Sequence, residues 1–159
     1  MRKRTAATII VHTLTLMLMA AAVAAKPAIA GSGDIQWLSY AEGRQRGKTE
    51  QKKVFLVFQA EWCRYCHQME KETFGDSAVI AYVNQNFVPV SVNSDKESHI
   101  AAKYNVRGLP STWFLSEKGD RIGSRPGYIP KAEMLNILKY IGSDSYLKMS
   151  FREFTKKKK

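Results

Sequence analysis

The sequence contains very little cysteine, since only Cys63 and Cys66 occur among its 159 residues. A structural disulfide that closes so short a loop restricts the unfolded chain very little, so this pair is a poor candidate for a stabilising cross-link. Redox chemistry, metal binding and covalent haem attachment are the interpretations that remain. Hydrophobic residues make up 45% of the chain and aromatic residues 11%, which is typical of a globular protein and argues against a disordered one.

Acidic residues are also scarce. The chain contains 14 acidic and 25 basic residues, which gives a formal charge of +11. The longest basic run is Lys156–Lys159 at the end of the chain. No basic helix is indicated, and no aromatic residues alternate with this run, so the usual nucleic-acid-binding modules are excluded. We assign residues 151–159 to a basic C-terminal tail and interpret its lysine run as a solvated end, and the alternative is a surface that docks on anionic lipid or an acidic partner.

Apart from one N-terminal segment, the sequence lacks an apolar run of transmembrane length. Residues 2–4 are basic, an apolar run extends over about 14–25, and Ala28-Ile29-Ala30 supplies the small residues of a cleavage site. This pattern predicts a signal peptide over residues 1–30. The alternative is an uncleaved anchor over 9–25, which is short and contains polar residues. Export predicts an oxidising compartment, the periplasm.

Predicted strands alternate with predicted helices along the remaining chain. Val54–Phe58 is a continuous apolar run, typical of a strand buried on both faces. Alternation implies parallel pairing, and a hairpin turn at 117–120 adds antiparallel strands. The prediction is an α/β domain over residues 31–150, with a central mixed sheet flanked by helices on both faces. The predicted strands cover 34–38, 54–58, 87–92, 112–115 and 121–124, and the predicted helices cover 39–48, a segment from Cys63 onward, 77–84, 96–104 and a segment from Pro130 onward.

Cys63 and Cys66 lie where the buried strand passes into a helix. Unpaired backbone N–H groups and the dipole at a helix N-terminus stabilise an anion, so we expect a lowered pKa for the Cys63 thiol. Cys66, one turn later, is expected to be better shielded and to resolve a mixed disulfide at Cys63. The flanking side chains are Trp62, Arg64, Tyr65 and His67. The arginine, and the histidine when protonated, favour the thiolate.

A second element of the predicted site lies far along the chain, where Leu109 and Pro110 lead into a strand. An X-Pro bond in such a loop is a candidate for a cis peptide. Proline has no N–H group, but Leu109 keeps both of its backbone polar groups. We therefore expect Leu109 to pair with an extended substrate.

Over about residues 35–141 the sequence resembles the thioredoxin superfamily. The motifs that carry this resemblance are Ala60-Glu61-Trp62-Cys63-x-x-Cys66 and Gly108-Leu109-Pro110. Segments 58–63 and 70–74 are most similar to the C-terminal thioredoxin-like domain of DsbD, a periplasmic reductant. The resemblance implies a thioredoxin fold and a cis Pro110 that faces the cysteine pair. It also implies a supporting role for Glu70, which matches a glutamate two helical turns after the family's first cysteine.

The resemblance further implies a thiol–disulfide oxidoreductase whose only redox group is the Cys63–Cys66 disulfide, with no metal and no other cofactor. Its expected partners are exported proteins that contain disulfides, and its expected electron donor is a membrane-bound thiol reductant. We expect the protein to act as a monomer. The opposite direction of electron flow, as an oxidant or isomerase, stays open.

The sequence departs from the family at Val57, where thioredoxins carry a buried aspartate that helps proton transfer to the second cysteine. Ser91 stands near the place of a lysine that is frequent in thioredoxins. Proton transfer must then use Glu70, Glu61, His67 or water.

Two rival interpretations concern the same cysteines. Cys63-Arg64-Tyr65-Cys66-His67 has the Cys-x-x-Cys-His pattern of covalent haem attachment, with Met69 or Met149 as conceivable axial ligands. Small monohaem cytochromes are mostly helical, however, whereas a strand precedes this motif. The two cysteines with His67 could also hold a soft cation such as copper, whereas a structural zinc site needs a fourth ligand.

Overall fold

The structure is a computed structural model that describes residues 33–157. The predicted signal peptide and its alternative as an anchor lie outside the described residues, as do Lys158 and Lys159. Within residues 33–157, no helix is both long and apolar enough to cross a membrane.

Four strands form one mixed sheet in the order β2-β1-β3-β4. The central strand β1 (Lys53–Gln59) pairs in parallel with β2 (Phe87–Asn93) and antiparallel with β3 (Ser111–Leu115). Strand β4 (Arg121–Pro126) completes the sheet by antiparallel pairing with β3. The parallel pair followed by the antiparallel hairpin confirms the predicted mixed α/β sheet.

Helices cover both faces of this sheet because successive side chains of β1 point to opposite sides. Phe55 and Val57 lie in one core cluster, whereas Leu56 and Phe58 lie in the other. The helices are α1 (Tyr40–Glu50), α2 (Arg64–Met69), α3 (Ser77–Asn86), α4 (Ser98–Lys103), α5 (Lys131–Gly142) and α6 (Phe151–Lys156). A π-helical segment, Glu70–Phe74, continues α2, and a 3₁₀ turn, Ser145–Leu147, follows α5.

The strand predicted over residues 34–38 is wrong, because only Leu38 pairs with the sheet, as an isolated parallel bridge to Val90. The Leu38 N–H donates to the Pro89 carbonyl at 3.0 Å, and the Ser91 N–H donates to the Leu38 carbonyl at 3.1 Å. Pro89 has no N–H group to offer at the next position along this edge. The ladder therefore cannot extend towards residue 36, and one bridge replaces the expected strand.

Residues 151–156 form helix α6, whereas the sequence prediction assigns them to a basic C-terminal tail. The Ser150 side chain accepts from the Glu153 N–H, and the Glu153 carboxylate accepts from the Ser150 N–H, which is a complete capping box. The Tyr140 ring lies 5.4 Å from the Phe151 ring and 5.3 Å from the Phe154 ring. Capping and aromatic packing together hold these residues on α5.

An ion cluster around the buried Lys53 lies at the start of β1, at the end of the strand away from the cysteines. The Lys53 ammonium lies 2.9 Å from a carboxylate oxygen of Glu117 and 2.9 Å from one of Asp144. Burial alone lowers the pKa of Lys53, but its hydrogen bonds with Asp144 and Glu117 outweigh that effect and the pKa is raised. The cluster thus ties β1 to the β3–β4 hairpin and to the chain after α5.

Candidate active site

Cys63 and Cys66 lie at the N-terminus of α2, directly after β1, where the sequence predicts them. Cys63 is the N-cap of α2 and its backbone N–H donates to the Ala60 carbonyl at 3.1 Å. The two cysteines form a disulfide with their Cα atoms 5.2 Å apart. The Cys63 Sγ accepts the Cys66 N–H at 3.1 Å. The sulfur of Cys63 therefore occupies the position where helix N–H groups stabilise negative charge.

Both cysteines are covered in this disulfide form, with 4% of each residue exposed. The expected greater shielding of Cys66 is not seen in the oxidised pair. The neighbouring aromatic side chains are exposed instead, Trp62 by 71% and Tyr65 by 60%. Two exposed aromatic side chains thus flank the buried disulfide.

The segment after β2 holds the turn that precedes Cys63. The Trp62 indole Nε1–H donates to the Asp95 carboxylate at 2.8 Å, and the Lys96 ammonium lies 2.8 Å from the Glu61 carboxylate. Lys96 lowers the pKa of Glu61 by hydrogen bonding to it and by its charge. No local sequence pattern points to Asp95 or Lys96, because only the pairing of β1 with β2 brings the two segments together.

The loop of Leu109 and Pro110 contacts the cysteine pair. The peptide bond between these two residues is cis. Leu109 packs against Cys63, Cys66 and Ala60, and Pro110 is buried. Within residues 33–157, the backbone N–H and C=O of Leu109 make no hydrogen bond. An unpaired backbone edge therefore lies beside the disulfide.

A short strap, Gly127–Ile129, joins this loop to the helix that carries the cysteines. The Gly127 N–H donates to the Pro110 carbonyl at 2.8 Å. The Tyr128 hydroxyl donates to the Glu72 carboxylate at 2.6 Å, and the buried Thr73 hydroxyl donates to the Ile129 carbonyl at 2.7 Å. Gly127 has φ +86°, a backbone conformation that favours glycine. The strap fixes the Pro110 loop relative to the π-helical segment.

His67 and Glu70 lie on the exposed side of α2 and the segment after it. The His67 Nε2 lies 2.7 Å from the Glu61 carbonyl, so this nitrogen is the donor. The His67 Nδ1 lies 4.0 Å from the Glu70 carboxylate, and the two side chains are 62% and 67% exposed. Glu70 is thus not a buried proton carrier, and any proton it exchanges passes through solvent.

No aspartate or glutamate is buried anywhere in the described chain, residues 33–157. Val57, at the position of the family's aspartate, is 1% exposed and belongs to the apolar core. Thr112 lies directly across the β1–β3 pair from Val57, and its buried hydroxyl has no hydrogen-bond partner. The interior at this position of β1 therefore offers a hydroxyl and no carboxylate.

The described part of the chain holds no group of three or more histidine, cysteine, aspartate or glutamate residues placed to bind a metal ion. His67 faces the Glu61 carbonyl rather than the sulfurs. The copper interpretation thus finds no ligand set of this kind within residues 33–157.

A redox pair at a strand–helix junction, beside a cis-proline loop and a mixed sheet, defines a thioredoxin-fold thiol–disulfide oxidoreductase. The sequence profile of the thioredoxin-like domain matches residues 42–142. The chain belongs to this family. The assignment favours disulfide exchange over haem attachment for the Cys-x-x-Cys-His pattern.

Known proteins of the same kind are similar to this chain. DsbD of Photorhabdus laumondii, a thiol:disulfide interchange protein, is 35% identical over 74 residues, which cover 45% of this chain and 13% of that protein. The disulfide bond reductase DsbH of Chlamydia pneumoniae is 26% identical over 111 residues, covering 60% of this chain and 67% of DsbH. A thioredoxin from Thermus thermophilus superposes with a TM-score of 0.63 at 29% identity, covering 68% of this chain and 87% of the thioredoxin.

Proposed function

We propose that the protein is a periplasmic reductant of disulfides in exported proteins, and that it acts through a mixed disulfide at Cys63. The observation that carries the proposal is the position of Cys63 as N-cap of α2, with the unpaired backbone of Leu109 beside it. An extended client segment would pair with that backbone, which would bring its disulfide to the Cys63 sulfur. The exposed rings of Trp62 and Tyr65 supply apolar contact surface around the pair.

The proposed reaction is a two-electron exchange in two steps. The Cys63 thiolate attacks one sulfur of a client disulfide, which breaks the client S–S bond, forms a Cys63–client disulfide and releases a client thiolate that takes a proton. Cys66 then loses its proton and attacks the Cys63 sulfur. This second step forms the Cys63–Cys66 disulfide and releases the second client thiol, so the client is reduced and the protein oxidised.

Proton removal from Cys66 falls to water and to exposed groups near the pair. Glu61 stays ionised because Lys96 lowers its pKa, so it accepts a proton less readily than a free glutamate would. His67 and Glu70 face solvent and can pass a proton only through it. This arrangement replaces the buried carboxylate of the family.

The reducing direction and the location rest on the relatives and on the N-terminal sequence. DsbH bears the name of a disulfide bond reductase, and a signal-peptide pattern precedes the domain. The oxidised product then needs a thiol donor, and we propose a membrane-bound reductant in that place. DsbD is a much longer protein than this chain, so its partners transfer here only as part of this proposal.

The test is to trap clients in the periplasm of cells that express Cys66→Ala, with Cys63→Ala as the matched control. We expect Cys66→Ala to accumulate mixed disulfides that dithiothreitol dissolves, because the resolving thiol is gone. We expect Cys63→Ala to trap nothing and to lose reduction of a model disulfide substrate. Unimpaired turnover by either variant would exclude the mechanism. If clients are more oxidised in cells with the wild-type protein than in cells with either variant, the protein acts as an oxidant, which is the opposite direction.

A further inference from the structure

The C-terminal segment concentrates positive charge far more than the rest of the chain. Residues 148–159 contain six basic residues and one acidic residue, a net charge of +5 out of +11 for the whole protein. Residues 1–30 contribute four basic residues and no acidic ones, so residues 31–147 are close to neutral. The reaction at the cysteine pair makes no use of this charge.

Helix α6 displays part of the charge from a fixed position. Phe151 and Phe154 are partly buried against Tyr140, and the Tyr140 hydroxyl donates to the Met149 carbonyl at 2.6 Å. Arg152 and Lys156 are exposed, and they are four residues apart, so they lie on one side of the helix. The exposed Lys157 follows as the C-cap, and we call these three residues the C-terminal basic face.

The single acidic residue of this segment, Glu153, offsets only part of the positive charge of the face. The Glu153 carboxylate accepts hydrogen bonds from the Ser150 hydroxyl at 2.7 Å and from the Ser150 backbone N–H at 2.8 Å, so it is turned back towards the start of the helix. These bonds also lower the pKa of Glu153. Among residues 33–157, Arg152 and Lys156 make no ion pair, and Lys157 acts on Glu153 only through its charge, without a contact within 4.0 Å.

The chemistry of this face fits a bilayer better than a protein partner. The aromatic residues of α6 point inwards, so the face lacks the exposed aromatic anchors that dominate protein interfaces. Just before it, Leu147 is 70% exposed and is followed by Lys148, which pairs an apolar side chain with further charge. Basic residues with an apolar side chain beside them are typical of segments that bind the surface of anionic membranes.

We propose that the C-terminal basic face docks the protein on a bilayer that contains anionic lipids. Each basic residue near such a surface strengthens binding by electrostatic attraction, and Leu147 adds contact with the lipid interface. Docking would hold the thioredoxin-like domain near membrane-bound partners.

The test measures binding of the full chain to vesicles of phosphatidylcholine with and without phosphatidylglycerol. The basic face is removed in Arg152→Gln/Lys156→Gln/Lys157→Gln, and a matched control removes three exposed lysines elsewhere, Lys48→Gln/Lys71→Gln/Lys118→Gln. Both variants keep the N-terminal segment, so its own contribution to binding is the same in each. We expect the first variant to bind anionic vesicles at least about tenfold more weakly than the control variant. The difference should disappear at high salt and on vesicles of phosphatidylcholine alone.

An equal loss of binding to anionic vesicles in the two variants would show that only the net charge of the protein matters, and it would overturn the proposal. Equal binding of the wild-type chain to both kinds of vesicle would overturn it as well. Salt-sensitive binding of a poly-glutamate peptide to the basic face, without any gain on anionic vesicles, would assign the face to an acidic protein partner instead.

Discussion

At the scale of single residues, the site depends on a few polar contacts between segments that are distant in sequence. Asp95 holds the Trp62 indole at 2.8 Å, and Thr73 holds the Ile129 carbonyl at 2.7 Å. The first contact is exposed and the second is buried, so they differ in what their loss should cost. Each contact predicts a measurable effect at a single position.

Removal of the Asp95 carboxylate should release the Trp62 indole. In Asp95→Ala we expect hydrogen exchange of that indole N–H to accelerate roughly 2- to 10-fold, because a hydrogen bond of this kind contributes about 0.5–1.5 kcal/mol. Two-dimensional NMR of the three tryptophan side chains measures this. Asp95→Asn keeps an acceptor oxygen and should retain most of the protection, whereas unchanged exchange in Asp95→Ala would show that the contact does not persist.

Thr73→Val should destabilise the fold by about 1–3 kcal/mol, since it leaves the Ile129 carbonyl buried without its donor. Thr155 is the matched control, because its hydroxyl also donates to a backbone carbonyl but on the exposed C-terminal helix. Urea unfolding of both valine variants measures the difference. A cost for Thr73→Val no larger than that for Thr155→Val would contradict a structural role for the strap.

Sequence reasoning at this scale found the cysteine pair and the Leu109–Pro110 loop, because their motifs are local. It did not find Asp95, Lys96 or the contact of Tyr128 with Glu72, since those depend on strand register and on the path of a loop. The family resemblance assigns Glu70 a supporting role, and the structure places its side chain 67% exposed beside His67.

At the scale of secondary structure, periodicity located most elements, and the two misassignments have local physical causes. Pro89 removes a backbone donor at the sheet edge, so Leu38 makes one bridge instead of a strand. Ser150 and Glu153 have the spacing of a capping box, and the charge of the lysine run that follows does not indicate a helix there. Charge composition alone therefore underestimated the extent of the fold.

Helix α6 should depend on its two phenylalanines. We expect Phe151→Ala/Phe154→Ala to expose the backbone amides of α6 to hydrogen exchange, because a six-residue helix has little stability without its packing. Leu147→Ala is the control, as this side chain is 70% exposed and should leave those amides protected. Unchanged protection in the double variant would show that the capping box alone maintains the helix.

At the scale of the whole molecule, the fold separates the reactive pair from the ion cluster at the opposite end of β1. Burial by itself raises the pKa of Glu117, but a backbone hydrogen bond and Lys53 outweigh it, so the pKa is lowered. A carboxyl group whose folded pKa lies below its unfolded value stabilises the fold above the unfolded pKa of about 4.3. That contribution is lost as the pH falls through the folded pKa.

Glu117→Gln should therefore reduce stability at pH 7. As the pH falls, the variant should lose less stability than the wild-type protein does. Glu97→Gln is the control, because Glu97 makes no ion pair among residues 33–157. Thermal unfolding of the wild type and both variants between pH 3 and pH 7 measures this. Parallel curves for the wild type and Glu117→Gln would contradict a stabilising role for the cluster.

The reduction potential of the Cys63–Cys66 couple tests the proposed function most directly. Equilibration of the protein with defined dithiothreitol and glutathione buffers gives this potential. A reductant should show a single two-electron couple near that of thioredoxin, roughly −270 mV. A value near about −120 mV, typical of an oxidant, would contradict the proposed direction, and the absence of any two-electron thiol couple would contradict disulfide exchange itself.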